Sequence, residues 1–301
     1  MAKPLFKYIG GKTWLKEKLR EQVSNVLSKK TINTYVEPFA GGLGAFLGIY
    51  DLLIENNVKK VILSDINIGL INLYNDIKFH SEQLCADIIN LEQEFSKTVN
   101  EPASNKHTKE ELEEANQYFK TVRSNFNLHK GDNSTEQSAR LVFLQKHSFN
   151  GVYRENGKGD YNTPFNWSAA TMDLTIKDRI VELKQVFDAF DIVFEVKSYE
   201  HHDYNDNALF YLDPPYLNTK DVMENKYNKD GFNIANQLDL INKIQNTNFI
   251  YSNHDSEILE NELNKNSRVE IARINRKNIM SASSASRADD KSELLATFIN
   301  I

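Results

Sequence analysis

The sequence predicts an α/β fold built on a parallel sheet, with a long insertion in its middle. Three observations carry that prediction. Thr34-Tyr35-Val36-Glu37 and Val61-Ile62-Leu63-Ser64-Asp65 are short apolar strands separated by a glycine-rich turn and a helix, the spacing of a right-sized β-α-β crossover. Leu209-Phe210-Tyr211-Leu212 is another apolar strand, and it runs straight into Asp213-Pro214-Pro215-Tyr216. Between these stretches, from about residue 80, the strand–helix alternation stops, to resume near residue 175.

Taken in order, Leu15, Leu19, Val23 and Val26–Leu27 recur at helical spacing and predict a helix over 13–27. After the first strand, Pro38-Phe39-Ala40-Gly41-Gly42-Leu43-Gly44 forms the glycine-rich turn, and a helix follows to about Glu55. Another helix is expected from Ile66 to Lys78. Thr108-Lys109-Glu110-Glu111 has the capping-box pattern and opens a polar helix toward Ser124. Gly131-Asp132-Asn133-Ser134 reads as a loop, and Phe149 to Phe165 alternates aromatic and polar residues around glycines, as a hairpin or extended loop does. A helix over 175–187 and strands at 192–196, 209–212 and 249–252 complete the pattern, with a mobile loop expected at Ser281–Ser286. The domain division that follows is one sheet-forming domain made of residues 1–68 and 173–301, with residues 69–172 inserted as a mainly helical domain carrying a β-hairpin.

Bulk properties bound the class of protein. At 301 residues, 40% hydrophobic and 11% aromatic, the chain can bury one large core or two ordinary ones. Its single cysteine, Cys85, excludes an internal disulfide. The N-terminus has no apolar run resembling a signal peptide, and no segment approaches the ~20 apolar residues that span a bilayer, so a soluble, cytoplasmic protein with no membrane partner is expected. The formal net charge of −6 hides three basic clusters. Residues 1–30 hold eight Lys or Arg against two Glu, residues 265–291 seven against three acidic, and residues 120–160 seven against four. Phosphate binding depends on where cations gather, so these clusters keep nucleic acid open as a partner, beside the alternative of plain solvated faces. His201-His202 and His254 lack metal-ligand spacing, and structural or surface roles with no metal are expected for them.

The prolines of Asp213-Pro214-Pro215-Tyr216 fix φ near −65° and favour extended geometry in the residue before each, which makes the turn stiff. A stiff turn carrying a carboxylate, a carbonyl and an aromatic face at a strand's carboxyl end stands where α/β proteins bind ligands. The glycine turn lets a ligand approach backbone at a helix N-terminus. Asp65, 21 residues past Gly44 and at the end of the next strand, is placed to accept from ribose hydroxyls. A nicotinamide fingerprint fails because Gly42 and Gly44 are followed by Leu47 where a third glycine is needed. A P-loop at Gly11-Lys12-Thr13 fails because Phe6 occupies the upstream glycine position. A glycine turn with a strand-end aspartate also suits S-adenosylmethionine, and that reading stays open on these residues alone.

Phe6-Lys7-Tyr8-Ile9-Gly10-Gly11-Lys12, Val36-Glu37-Pro38-Phe39-Ala40-Gly41-Gly42, Ser64-Asp65 and Asp213-Pro214-Pro215-Tyr216, in that order, resemble the Dam-like adenine-N6 DNA methyltransferases of the alpha group. The resemblance extends to Phe149-Asn150-Gly151, Tyr161–Phe165, Tyr251–Asp255 and Ser292–Leu295, and so covers nearly the full chain. It implies a Rossmann-like, S-adenosylmethionine-dependent methyltransferase sheet, with residues 69–172 as the target-recognition domain and double-stranded DNA as partner. It also implies a monomer, solitary or accompanied by a separately acting restriction endonuclease. By the same resemblance Tyr8, Lys12, Asp65 and Asp213 contact the cofactor, Glu37, Phe39, Gly41 and Gly42 shape its pocket, and Lys7, Asn150 and Arg154 meet DNA. For Arg154, base readout and phosphate contact both remain open.

An adenine amino group is a poor nucleophile because its lone pair is delocalised into the ring. Asp213 Oδ and the Pro214 carbonyl can each accept one N6 hydrogen, while Tyr216 stacks on the base. The catalytic set expected is therefore Asp213, Pro214 and Tyr216, acting on a base flipped out of the duplex. Two rivals are an RNA or cytosine-N4 methyltransferase of the same fold and a non-catalytic nucleotide- or DNA-binding protein. Asp213 stands where cytosine-N4 enzymes usually carry serine, and an intact Asp-Pro-Pro-Tyr speaks against a non-catalytic protein. Enzymes of the family that modify GATC usually follow the Pro-Phe with Gly-Arg, whereas Pro164-Phe165 is followed by Asn166-Trp167. The resemblance therefore leaves the recognition sequence open.

Overall fold

A computed structural model describes residues 2–6, 15–99, 108–167, 175–216, 232–276 and 291–301. Lys7, Tyr8, Lys12 and the serine-rich stretch 281–286 lie outside these described residues. Seven strands form one sheet in the order β3-β2-β1-β4-β5-β7-β6. They are β1 (Thr34–Glu37), β2 (Lys60–Asp65), β3 (Asp191–Val196), β4 (Ala208–Leu212), β5 (Asn248–His254), β6 (Glu270–Arg276) and β7 (Lys291–Phe298). β1 runs parallel to both β2 and β4, and β4 parallel to β5, while β7 is antiparallel to β5 and β6. The architecture is Rossmann-like. Successive strands move outward from β1 to β3 and then return to β4, so the sheet's switch point lies between β1 and β4. Register pairs Val36 with Phe210, which brings Glu37 and the residues after Leu212 to the same sheet edge.

The chain divides into two compact units. One comprises residues 15–39, 49–64 and 197–301. Its core joins Val36, Phe210, Leu212, Phe249 and Tyr251 of the sheet to Leu240, Ile241 and Ile244 of a helix over Ile234–Ile244 and to Leu259 and Leu263 of a helix over Glu257–Leu263. Asn233 caps the first of these helices with its side chain, and Asn236 answers in a capping box. The N-terminal helix, α1 (Lys16–Lys29), buries Leu19, Val23 and Val26, the stripe expected from the sequence. Its Arg20 holds Asp51 through two bonds of 2.6 and 2.9 Å. α2 (Gly44–Glu55) follows the glycine turn, as expected.

The other unit comprises residues 1–14, 40–48 and 65–196. Its helices are α3 (Ile68–Phe79), α4 (Ser81–Lys97), α5 (Glu113–Leu128), α6 (Thr135–His147) and α7 (Ile176–Asp188); the helices over Ile234–Ile244 and Glu257–Leu263 are then α8 and α9. The capping box forms as expected, Thr108 N donating to Glu111 Oε2 and Glu111 N to Thr108 Oγ1, although α5 itself starts only at Glu113. α6 left no periodic signature because it is buried on most sides, including Ala139, Leu141, Val142, Phe143, Leu144 and His147. The stretch 149–165 is a hairpin, with antiparallel bridges Ser148–Phe165 and Glu155–Tyr161.

Two predictions follow from packing and burial. Leu240→Ala, at a fully buried position in the sheet unit, is expected to lower unfolding free energy by about 2–5 kcal/mol in urea titration. Burial pushes the Asp76 carboxyl above the ordinary carboxylate range, against the bond it accepts from Ser138 Oγ at 2.6 Å. A raised folded pKa makes the stabilising contribution complete below the unfolded value of about 3.9 and removes it as pH rises through the folded one. Asp76→Asn should therefore gain stability relative to the parent between about pH 4 and pH 7; an equal offset at both ends contradicts this.

Candidate active site

The glycine turn is built around Asp65. Gly41 adopts φ 45° and Leu43 φ 62°, both in the left-handed region. A leucine there carries a steric cost of about 1–2 kcal/mol, a kind of strain that gathers at functional sites. Gly41 N donates to Asp65 Oδ2 and Asn67 N to Asp65 Oδ1, each at 2.9 Å. The Tyr74 hydroxyl fixes the same glycine from its other side by donating to Gly41 O. One carboxylate therefore spans the turn and the start of α3, whose N-cap is Asn67. Burial raises the Asp65 pKa, and the backbone donors Asn67, Gly41 and Ile66 oppose that rise. Each carboxylate oxygen has a second lone pair, so the group can still accept from a ligand. Ile66, next in the chain, is 78% exposed, an apolar surface beside the carboxylate that sequence reading did not single out.

The Asp-Pro-Pro-Tyr turn is anchored by groups from both β5 and distant elements. Gln237 of α8, fully buried, donates through Nε2 to the Pro215 carbonyl at 2.8 Å. Its Oε1 accepts from the Tyr251 hydroxyl at 2.6 Å and from Asn253 Nδ2 at 3.2 Å. Among the described residues nothing donates to the Pro214 carbonyl. The Tyr216 hydroxyl donates to Glu293 Oε1 at 2.5 Å, and the His254 ring packs edge-on to the Tyr216 ring at 4.4 Å. Burial, then Asp213 and Glu293, hold the Tyr216 phenol far above its ordinary pKa, so it stays a neutral donor.

Glu37, 2% exposed, accepts from the Tyr35 hydroxyl at 3.0 Å. Burial, followed by the nearby Asp213, Tyr216, Glu37 and Glu293, raises the Tyr211 phenol in the same way. The Tyr211 hydroxyl, fully buried, finds no hydrogen-bond partner among the described residues. Phe39 stacks on Tyr199 at 5.8 Å and meets Phe232 edge-on at 5.5 Å. His202 pairs through Nε2 with Ser64 Oγ at 2.7 Å.

The hairpin of the second unit is braced from below. The Asn127 side chain of α5 donates to Tyr161 O and accepts from Tyr161 N, and Arg123 donates to Thr163 O. Asn150 sits at φ 57° and is exposed, beside Phe149 at 54% exposure. Arg154 is exposed too, but its guanidinium is engaged across the hairpin, Nε to Asn162 Oδ1 at 2.7 Å and Nη2 to Asn162 O at 3.2 Å.

A family model for D12 class N6 adenine-specific DNA methyltransferases matches residues 8–280. The chain belongs to that family. It is 31% identical over 248 residues to the type II methyltransferase M.MjaIII of Methanocaldococcus jannaschii, covering 79% of this chain and 78% of that protein. It is also 27% identical over 280 residues to a DNA adenine methylase of Haemophilus influenzae, covering 90% and 87% of the two chains. A type II methyltransferase of Lactococcus lactis, M1.LlaDCHI, matches at 26% identity over 79% of this chain and 74% of its own length.

Within this adenine-specific DNA methyltransferase, Gly41 and Asp65 come together, and Asp213, Pro214 and Tyr216 share one anchored turn. Of the anchors, Gln237 gave no sign in the sequence, and Glu293 fell within the Ser292–Leu295 stretch of the resemblance without a role attached to it. A buried glutamine in an amphipathic helix and a glutamate in a strand acquire one only through pairing. Gln237→Ala removes the donor to the Pro215 carbonyl and the acceptor of the Tyr251 hydroxyl, while the Asn253 amide keeps its 2.9 Å bond to Tyr251, and is expected to cost about 2–4 kcal/mol in urea denaturation.

Proposed function

We propose that this adenine-N6 DNA methyltransferase binds S-adenosylmethionine at the glycine turn and Asp65, flips a target adenine out of duplex DNA, and methylates N6 at Asp213-Pro214-Pro215-Tyr216. The observation that carries this reading is the Asp-Pro-Pro-Tyr turn itself, held at the carboxyl edge of β4 with a carboxylate and a Pro214 carbonyl that accepts nothing among the described residues. The left-handed Gly41 and the spare acceptor capacity of Asp65 suit the close approach of a ribose and its hydroxyls. Exposed Ile66 offers an apolar face for a base. Tyr8, Lys12, Glu37, Phe39 and Gly42 complete the proposed cofactor-binding set.

When bound, S-adenosylmethionine supplies a methyl group already activated by its sulfonium. Asp213 Oδ and the Pro214 carbonyl each accept one N6 hydrogen, which draws the nitrogen toward tetrahedral geometry and aims its lone pair outward. With the donor held at the glycine turn and Asp65, that methyl group would be open to attack by the N6 lone pair, and Asp213 would be placed to accept the proton that the methylated nitrogen loses. Positioning at ~3–3.5 Å and electrostatic support for charge building on nitrogen are what these residues contribute. Tyr216 stacks on the base. Residues 69–172 form the proposed target-recognition domain, inserted between 1–68 and 173–301, with Lys7, Asn150 and Arg154 toward DNA. The guanidinium engaged with Asn162 shapes the hairpin in the free protein and keeps its other nitrogen for a phosphate or a guanine.

Asp213→Ala is expected to lower methyl transfer by about 10²–10³-fold, measured as labelled methyl incorporated into DNA, while Asp65→Ala weakens cofactor binding about tenfold or more. Full turnover of the first variant removes the catalytic assignment. Expression in bacteria lacking adenine methylation, followed by mapping N6-methyladenine across the genome, gives the recognition sequence; an unmodified genome overturns the DNA-directed reading.

A further inference from the structure

Tyr216 is tied to a part of the chain far from it in sequence. Its hydroxyl donates to Glu293 Oε1, and Ser252 Oγ donates to the same oxygen at 2.7 Å. Glu293 is 3% exposed and reaches this point because β7 pairs antiparallel with β5, opposing His254 to Glu293 and Ser252 to Leu295. The His254 ring meets the Tyr216 ring at an interplanar angle of 62°.

Burying a carboxylate is costly, and an apolar side chain of similar volume commonly serves a core as well or better. What a carboxylate does that leucine cannot is accept a phenolic proton at a fixed point. A tyrosine ring has two rotatable bonds, and its backbone alone leaves the ring plane free to tilt. A short charge-assisted bond at the far end of the ring, with an aromatic edge against its face, removes that freedom. Fixing the plane before the base arrives avoids the ordering cost on binding.

We propose that Glu293, held by Ser252, is a positioning residue that sets the plane of Tyr216 for the target adenine. This rests on the reading in which Tyr216 stacks on the base. Glu293 touches neither base nor methyl donor in this role; it acts through the tyrosine hydroxyl.

The test compares Tyr216→Ala, Tyr216→Phe, Glu293→Ala and Glu293→Gln in single-turnover methyl transfer to unmethylated genomic DNA, with S-adenosylmethionine affinity and melting temperature measured on each. Tyr216→Ala, which removes the ring, should lose about 10–100-fold in rate if the base stacks there. Tyr216→Phe keeps the ring and drops only the tether; it should lose about tenfold in rate while cofactor affinity stays within about twofold. Glu293→Ala should match it, and the double variant Tyr216→Phe/Glu293→Ala should be no slower than Glu293→Ala alone, since the bond from Tyr216 to Glu293 is already lost in either single variant. Glu293→Gln retains a carbonyl acceptor and should recover most of the rate. A purely structural Glu293 would lower the melting temperature and leave the single-turnover rate of the folded variant unchanged, which overturns the proposal. So does a wild-type rate for Tyr216→Phe, and that variant decides alone if Glu293→Ala does not fold, because Ser252 still satisfies the carboxylate. A wild-type rate for Tyr216→Ala instead removes the stacking reading, and is told apart because the ring itself is then dispensable.

Discussion

The parallel pairing of β1 with β4 is the constraint on which the rest depends. These strands are remote in sequence, and between them the chain runs outward through β2 and β3 before it returns. Their register, Thr34 with Ala208 through Val36 with Phe210, brings both carboxyl ends to one edge. Each end then continues into a segment with unusual backbone: Pro38 to Gly44 after β1, and Asp213 to Tyr216 after β4. An α/β sheet has free space at its switch point because neighbouring connections leave in opposite directions. A shift of one residue in this register would turn Glu37 and Tyr211 to the opposite face of the sheet.

Beneath the Asp-Pro-Pro-Tyr turn the interior is more polar than a core needs for stability. Glu37, Gln237, Ser252, Asn253 and Glu293 are all buried. Most of these groups are satisfied by one another or by tyrosine hydroxyls, which is the condition under which buried polar atoms are tolerated. Tyr211 is the exception, a buried hydroxyl with no partner among the described residues, beside four acidic or phenolic neighbours. Such a group costs about 1–3 kcal/mol, and the left-handed Leu43 adds a further steric cost. Both lie next to residues assigned to chemistry, the pattern expected where rigidity of a site is maintained against stability.

The hairpin of the other unit follows a different logic. Its backbone is held from α5 by Asn127 and Arg123, while its outward residues, Phe149, Asn150 and Arg154, are exposed. A rigid base with exposed side chains suits the DNA contact proposed for Asn150 and Arg154, because no loop has to be ordered on binding. Asn166 and Trp167 follow its Pro-Phe, and Trp167 continues the aromatic packing, edge-on to Phe165 at 5.4 Å.

By itself the sequence determined the local features. The alternation of 34–65, the stripe of α1, the strand that leads into Asp213 and the capping box at Thr108 are set by side chains within a few residues of one another, and each forms as expected. The motifs also named the family, because their order and spacing are properties of the chain alone. Features that depend on partners far away in sequence escaped. α6 has no amphipathic pattern since neighbours cover it on most sides, and β6 and β7 gain their strand character by pairing at the sheet's edge. Gln237 and Glu293 look like ordinary polar residues until α8 and β7 bring them to Pro215 and Tyr216. Asp65 was legible as a strand-end carboxylate, yet only the fold revealed that it also holds Gly41 in place. The sequence thus specified the candidate groups for chemistry, because side-chain type and short spacing are local properties of the chain. Tertiary structure decided what holds them still, because a hydrogen bond between residues 77 positions apart is written in no local pattern.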